Sequence, residues 1–149
     1  MILYHGTIEQ FIPSIEKQGL KPTPRNAFDL IIPAGAIRDI DGKASFLCLT
    51  PHKIVAEWFA NYRAQYSRAQ WHDIIAGNQI KLGKQVIPDA KPALLQVTIP
   101  ESIVEELKTD KASNGLRFYG TIPASMLKPL PVPNKPLDSD YWLPAIRQM

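Results

Sequence analysis

The chain has 149 residues, 45% of them apolar and 21% charged, with 17 basic against 14 acidic side chains, values that fit one ordinary globular domain. No run of about 18 uncharged apolar residues is present and His5 and Glu9 fall where an export signal would need its apolar core, so a cytoplasmic protein with no membrane association is expected. The single cysteine, Cys48, has no internal disulfide partner and the three histidines are not clustered in sequence, so no metal is expected and the core must hold by apolar packing.

Residues 2–5 (ILYH) read as a short strand running into a turn at Gly6 and Thr7. Thr7 and Gln10 have the spacing of a capping box, with Phe11, Ile12 and Ile15 at helical spacing, Pro13 in the first turn and Gly19 as the residue that ends the helix. Residues 21–44 carry Pro22, Pro24, Pro33 and Gly35 and read mostly as loop. The run 46–49 (FLCL) reads as a buried strand, and Thr50 and Pro51 then supply the N-cap and first position of a helix reaching about residue 69. On that helix Ile54, Val55, Trp58, Phe59 and Tyr62 share one face, while Lys53, Arg63 and Arg68 read as its solvated face and His72 as lying near its end.

Residues 77–92 hold two possible short strands around Gly83 and Lys84, and 93–99 (ALLQVTI) is a strand. Pro100 opens a short helix through residue 107, Asn114 and Gly115 mark a turn, LRFYG alternates as a strand, and IPASML supplies one helical turn at most. Fourteen prolines are about twice ordinary usage, and five of them fall in residues 129–149, so that stretch is expected to run extended over the surface, with Tyr141, Trp142 and Leu143 available for docking. Strands separated by single helices make this an α+β domain.

The residues that carry chemistry are Tyr4, His5, Gly6 and Thr7, where a strand gives way to a helix. There Gly6 lets a ligand approach the backbone, His5 offers a ring nitrogen to a hydroxyl, and the amides ahead of the helix meet a polar group. A lone histidine at a strand end is, however, more often a satisfied structural residue, and Arg25 is by itself a solvated loop arginine.

LYHGTIEQFIPSIEKQGLKP resembles the opening of the ADP-ribosyltransferase superfamily, in which His-Gly-Ser/Thr leads into a helix ending in Gly-Leu. FLCLTPHKIVAEWFA resembles its next landmark, ALLQVTIPES its central strand, and NGLRFYGTIPASMLKPL its closing strand and Ile-Pro turn. The nearest flavours are the RNA 2′-phosphotransferases and the rifampin ADP-ribosyltransferases, and the resemblance covers most of residues 2–130.

The resemblance implies split antiparallel β-sheets with flanking helices around a cleft that binds NAD, and transfer of ADP-ribose to a protein, nucleic acid or small-molecule acceptor. His5 would then bond the nicotinamide ribose hydroxyl, Gly6 would meet the carboxamide, and Thr7 would support one of the two. Arg25 would contact a pyrophosphate or 2′-phosphate, Cys48 would occupy the place of a tyrosine common in these enzymes, and Tyr62 would stack on nicotinamide, with Phe59 as substitute, although both equally suit a core-facing helix. Arg117, Phe118 and Tyr119 stand where the closing strand often carries a glutamate. Glu101, Glu105 and Glu106 lie near the place of an acidic residue in the rifampin enzymes. Two alternatives are an RNA 2′-phosphotransferase relative and a non-catalytic module that binds NAD, ADP-ribose or a protein. The domain is expected over residues 1–130, with 131–149 as a proline-rich tail packed on it or extended.

Overall fold

Side-chain alternation along residues 2–8 and the small residues of one helix decide how the chain is layered. A computed structural model describes residues 1–24, 45–68, 71–73, 79–81, 87–110 and 115–149. Its strands are β1 (Ile2–Ile8), β2 (Thr23–Pro24), β3 (Ser45–Leu49), β4 (Trp71–Asp73), β5 (Gln79–Lys81), β6 (Pro92–Thr98), β7 (Lys108–Asp110), β8 (Gly115–Phe118) and β9 (Leu127–Leu130). Its α-helices are α1 (Ile12–Gln18), α2 (Lys53–Arg68), α3 (Glu101–Val104) and α4 (Leu143–Gln148).

The architecture is α+β, with two small antiparallel sheets in the orders β1-β6-β9 and β2-β3-β8-β7, and a separate β4-β5 pair. A backbone bridge joins the two sheets: the Tyr4 amide donates to the Thr50 carbonyl at 2.8 Å and the Thr50 amide returns to Tyr4 at 3.0 Å. Between the sheets lies the main core, where Leu3, Leu95 and Val97 meet Leu47, Leu49 and Phe118. No described helix is long and apolar enough to cross a membrane.

Helix α2 covers β1. Ala56, Ala60 and Ala64 recur at four-residue spacing and are all buried, and such a stripe lets a backbone come close. A Cβ on Gly6 would lie 2.3 Å from the Ala56 carbonyl oxygen and 2.5 Å from the Ala60 nitrogen, distances that only a missing side chain permits. Further along, Ala64 packs with Ile8 and Ala90.

The aromatic residues of α2 face elsewhere. Val55 packs with Trp142 and Ala145, flanked by Ile54, Trp58 and Phe59, so the tail rather than the sheet covers that part of the helix. Trp142 is fully buried, and its indole N–H donates to the Pro136 carbonyl at 3.0 Å. Asn61 holds the extended stretch before it, donating to the Pro133 carbonyl and accepting from the Lys135 amide at 2.8 and 2.9 Å. The side-chain amide thus supplies the bonds that a neighbouring strand would give a proline-rich segment. Residues 131–149 are therefore packed on the domain, and they are not wholly without regular structure, since Asp140–Trp142 forms a 3-10 turn leading into α4. Leu127–Leu130, at the start of the proline-rich stretch, pairs with β6 as an edge strand, where Pro129 is tolerated.

Other boundaries move for local reasons. β1 does not turn at Gly6 but pairs through Thr7 and Ile8 with Ala93 and Pro92. The capping box is not formed, because Gln10 spends its amide on the Asp89 carbonyl and the Lys91 amide. Thr50 is engaged with Tyr4 and its hydroxyl accepts from the His52 amide at 3.1 Å, so α2 begins at Lys53. The same helix ends at Arg68 and His72 lies in β4 instead. α3 stops at Val104 and Lys108–Asp110 becomes an edge strand. Of the two short strands considered in 77–92, β5 is present, and residues 82–86 lie outside the described residues. As expected, α1 carries Pro13 in its first turn and ends at Gly19, which takes a positive φ of 81°.

Two substitutions test this layering. Gly6→Ala should lower stability by about 3 kcal/mol or more, because backbone atoms oppose the new methyl. Trp142→Ala should lower it by about 3–5 kcal/mol, as expected for a large core truncation. Urea unfolding midpoints of the full chain measure both, and a wild-type midpoint for Trp142→Ala would mean that the tail does not contribute to the core.

Candidate functional site

Because β1 alternates, Gly6 faces α2 while His5 and Thr7 share the opposite side. Both line a cleft of about 280 Å³ whose other walls come from α1, the segment after it, β3 and α2. That volume is at the small end of ligand pockets, which run ~300–1,000 Å³.

His5 is 7% exposed, and its Nδ1 lies 2.8 Å from the Cys48 carbonyl oxygen. A carbonyl only accepts, so Nδ1 carries the proton and donates, leaving Nε2 as the acceptor of a neutral ring. Burial, aided by the positive charge of Arg63 and opposed by the Cys48 hydrogen bond, lowers its pKa from the ordinary 6.5 to about 4. At neutral pH the ring is thus uncharged and oriented, and its Nε2 can accept a hydrogen bond from a hydroxyl.

The sequence-derived residues divide cleanly. His5, Thr7 and Cys48 come together in the cleft lining. Thr7 is 2% exposed, whereas Cys48 is half-buried and pairs across the sheet with Arg117. Gly6 is placed against α2, where its missing side chain serves helix packing. Tyr62 is buried away from the cleft lining and stacks on Trp58 at 5.3 Å between centroids and 23° between planes. Phe59 meets Trp58 edge-on in the cluster beneath the tail. Arg25 lies outside the described residues. Glu101, Glu105 and Glu106 are exposed and do not line the cleft.

Among the other lining residues, Phe11, Phe46 and Arg63 bring aromatic faces and a charge to the cleft. Phe11 and Phe46 are the aromatic side chains of the described lining. Phe46 is buried beneath the Arg117 guanidinium, 4.1 Å from its ring centroid, with Tyr119 tilted against it at 5.7 Å. Arg63, expected on the solvated face of its helix, is half-buried and lines the cleft. Its spacing held the signal: Arg63 follows Ala56 by seven positions and Ala60 by three, which puts it on the sheet-facing stripe. Arg68, by contrast, donates to the Ala90 carbonyl, and Lys53 lies 4.0 Å from Glu57.

No family model matches the chain, and no curated protein or solved structure matches it.

A neutral buried histidine makes stability depend on pH in a definite direction. The native ring stays unprotonated down to about pH 4, whereas the unfolded chain protonates near 6.5. Below 6.5 the unfolded state therefore binds more protons and stability falls as pH falls, levelling near pH 4 after a loss of about 3 kcal/mol from this group. His5→Asn, which keeps an N–H donor and cannot titrate, should remove that component from the difference between urea unfolding curves at pH 7 and pH 4.5. Identical pH dependence in the two proteins would mean that His5 is not held neutral.

Proposed function

We propose that the chain is an NAD-dependent ADP-ribosyltransferase-like enzyme that binds the nicotinamide ribose in the cleft beside His5. The observation that carries this reading is the His5 ring, anchored through Nδ1 on the Cys48 carbonyl so that a neutral Nε2 remains to accept a hydroxyl. The order of the segments resembling the ADP-ribosyltransferase superfamily, from YHGT to the Ile-Pro turn, supports it independently.

The chemistry suits these groups. Breaking the glycosidic bond of NAD develops positive charge on the ribose, releases nicotinamide and transfers the ADP-ribosyl group to an acceptor nucleophile. A site for that reaction must first orient the ribose, and fixing one hydroxyl on an immobile imidazole does so without reorganisation during the reaction. Nicotinamide would lie against Phe11 or Phe46, the aromatic residues of the cleft lining. A cleft of about 280 Å³ suits one nucleoside half of the dinucleotide, the remainder extending beyond it.

A second reading is non-catalytic binding of NAD or ADP-ribose, favoured by the closing strand, where Arg117 is buried and no glutamate stands. NAD should raise the melting temperature of the wild-type protein, as a ligand selective for the native state must. His5→Ala should abolish the rise, and no change with millimolar NAD in the wild type would remove the cofactor from the proposal. Nicotinamide release in the presence of cell extract separates the two readings: steady turnover excludes a binding-only module, and ADP-ribose binding without turnover supports one.

A further inference from the structure

We infer that the outer face of α4 is a self-association surface, on which a second copy of this chain packs antiparallel about a two-fold axis passing between Leu143 and Pro144. This surface is independent of the nucleotide reading, since none of its residues is in the described lining of the cleft.

The segment 140–148 has two unlike faces. Trp142 and Ala145 are fully buried and pack with Val55 of α2. The opposite face carries Asp140, Leu143, Pro144 and Arg147, at the i, i+3, i+4, i+7 spacing of one helix side, and all four are exposed. Tyr141 and Ile146 flank it on its two borders, at 41% and 53% exposure. Among the described residues seven large apolar side chains are exposed, and four of them, Tyr141, Leu143, Ile146 and Met149, fall in this last stretch. Single exposed apolar residues are ordinary, whereas a contiguous group marks a contact surface. Its base is fixed: the Trp142 indole is bonded to the Pro136 carbonyl and the Tyr141 hydroxyl to the Glu57 carboxylate.

The order of charges selects the occupant. An acidic residue stands at one end of the strip, a basic residue at the other and apolar residues between them, so the strip is complementary to itself when reversed. Exposure is symmetric about the same point. Counting outward from the Leu143–Pro144 bond, the residues on either side run exposed, buried, exposed, exposed. In an antiparallel pair Asp140 of each copy meets Arg147 of the other, Leu143 and Pro144 meet at the axis, and symmetry makes every contact twice. Among the described residues neither Asp140 nor Arg147 has an ion pair within its own chain. A partner of uniform charge would set one of the two against its like. A strip this short buries less than the ~1,200 Å² at the low end of stable complexes, so the dimer is a weak one, with a dissociation constant on the order of 100 μM.

Sedimentation equilibrium of the full chain, at concentrations spanning that constant, tests the surface. Wild type should pass reversibly from monomer to dimer. Asp140→Arg makes both ends of the strip basic and Arg147→Asp makes both acidic. Each variant alone should associate roughly tenfold more weakly, since every exposed pair is lost twice. An equimolar mixture of the two should regain wild-type affinity as a heterodimer, because opposite charges again face each other. Both positions are exposed, and unchanged urea midpoints of the single variants establish that they are folded. A wild type that stays monomeric to millimolar concentration, single variants as tight as the wild type, or a mixture of folded variants no tighter than either alone would each overturn the surface. A monomeric wild type that instead sediments with phosphatidylserine vesicles would assign the strip to a membrane and overturn self-association equally.

Discussion

The contact on which the rest depends is the seating of α2 on β1 at Gly6. Two backbones approach there until a single methyl would overlap a carbonyl oxygen. That contact sets the depth of the helix over the sheet, and with it the place of every residue α2 carries. Ala60 and Ala64 lie along the same stripe and continue the contact towards Ile8, while Arg63 shares that side and reaches the cleft. Alternation within β1 then separates two tasks by one residue. Gly6 serves the helix, and His5 and Thr7, on the other side of the strand, serve the cleft.

The choice of partner for His5 has an electrostatic consequence. A carboxylate on Nδ1 would fix the tautomer but also pull the pKa upward by its charge. The Cys48 carbonyl fixes the tautomer with a dipole, whose upward pull is smaller than the downward effects of burial and of Arg63. The ring is therefore immobilised without being charged. On the proposed reading, a neutral ring is the state that accepts a ribose hydroxyl, and next to a developing oxocarbenium it adds no repulsive cation of its own.

How much of this was legible in the sequence depends on whether a feature is local. Pro13 and Gly19 bound α1 through backbone preferences that act within a few residues, and both were readable. The buried run around Cys48 and the strand before Pro100 were readable for the same reason. Gly6 was noticed, but its purpose was not, because whether a ligand or a helix fills the space above a glycine is decided by a segment some 50 residues away. The large aromatic residues of α2 drew attention to the wrong contact: apolar spacing shows that a face is buried and is silent about what buries it. Tyr62 and Phe59 pack on that face rather than in the cleft. Arg63 was read by its charge, when its register with Ala56 and Ala60 was the better guide.

The proline-rich end of the chain shows how a segment without a site becomes part of one. No residue of the tail is in the described lining of the cleft, yet the tail contacts α2 from Val55 to Asn61. Trp142 packs with Val55, Asn61 bonds the backbone around Pro133 and Lys135, and the Tyr141 hydroxyl lies 3.3 Å from the Glu57 carboxylate. Burial raises the Glu57 pKa, while Lys53 and Tyr141 act against that rise by stabilising the charged form. Prolines suit this role, since a chain with few amide donors is already extended before it docks and loses less entropy in doing so. α2 is consequently held from two sides, by β1 through its alanines and by the tail through its aromatic and polar residues. A helix held from one side can rock, and rocking would swing Arg63 relative to His5. The tail contacts oppose that motion, so the charge that adds to burial in keeping His5 neutral is positioned in part by residues that never approach the ring.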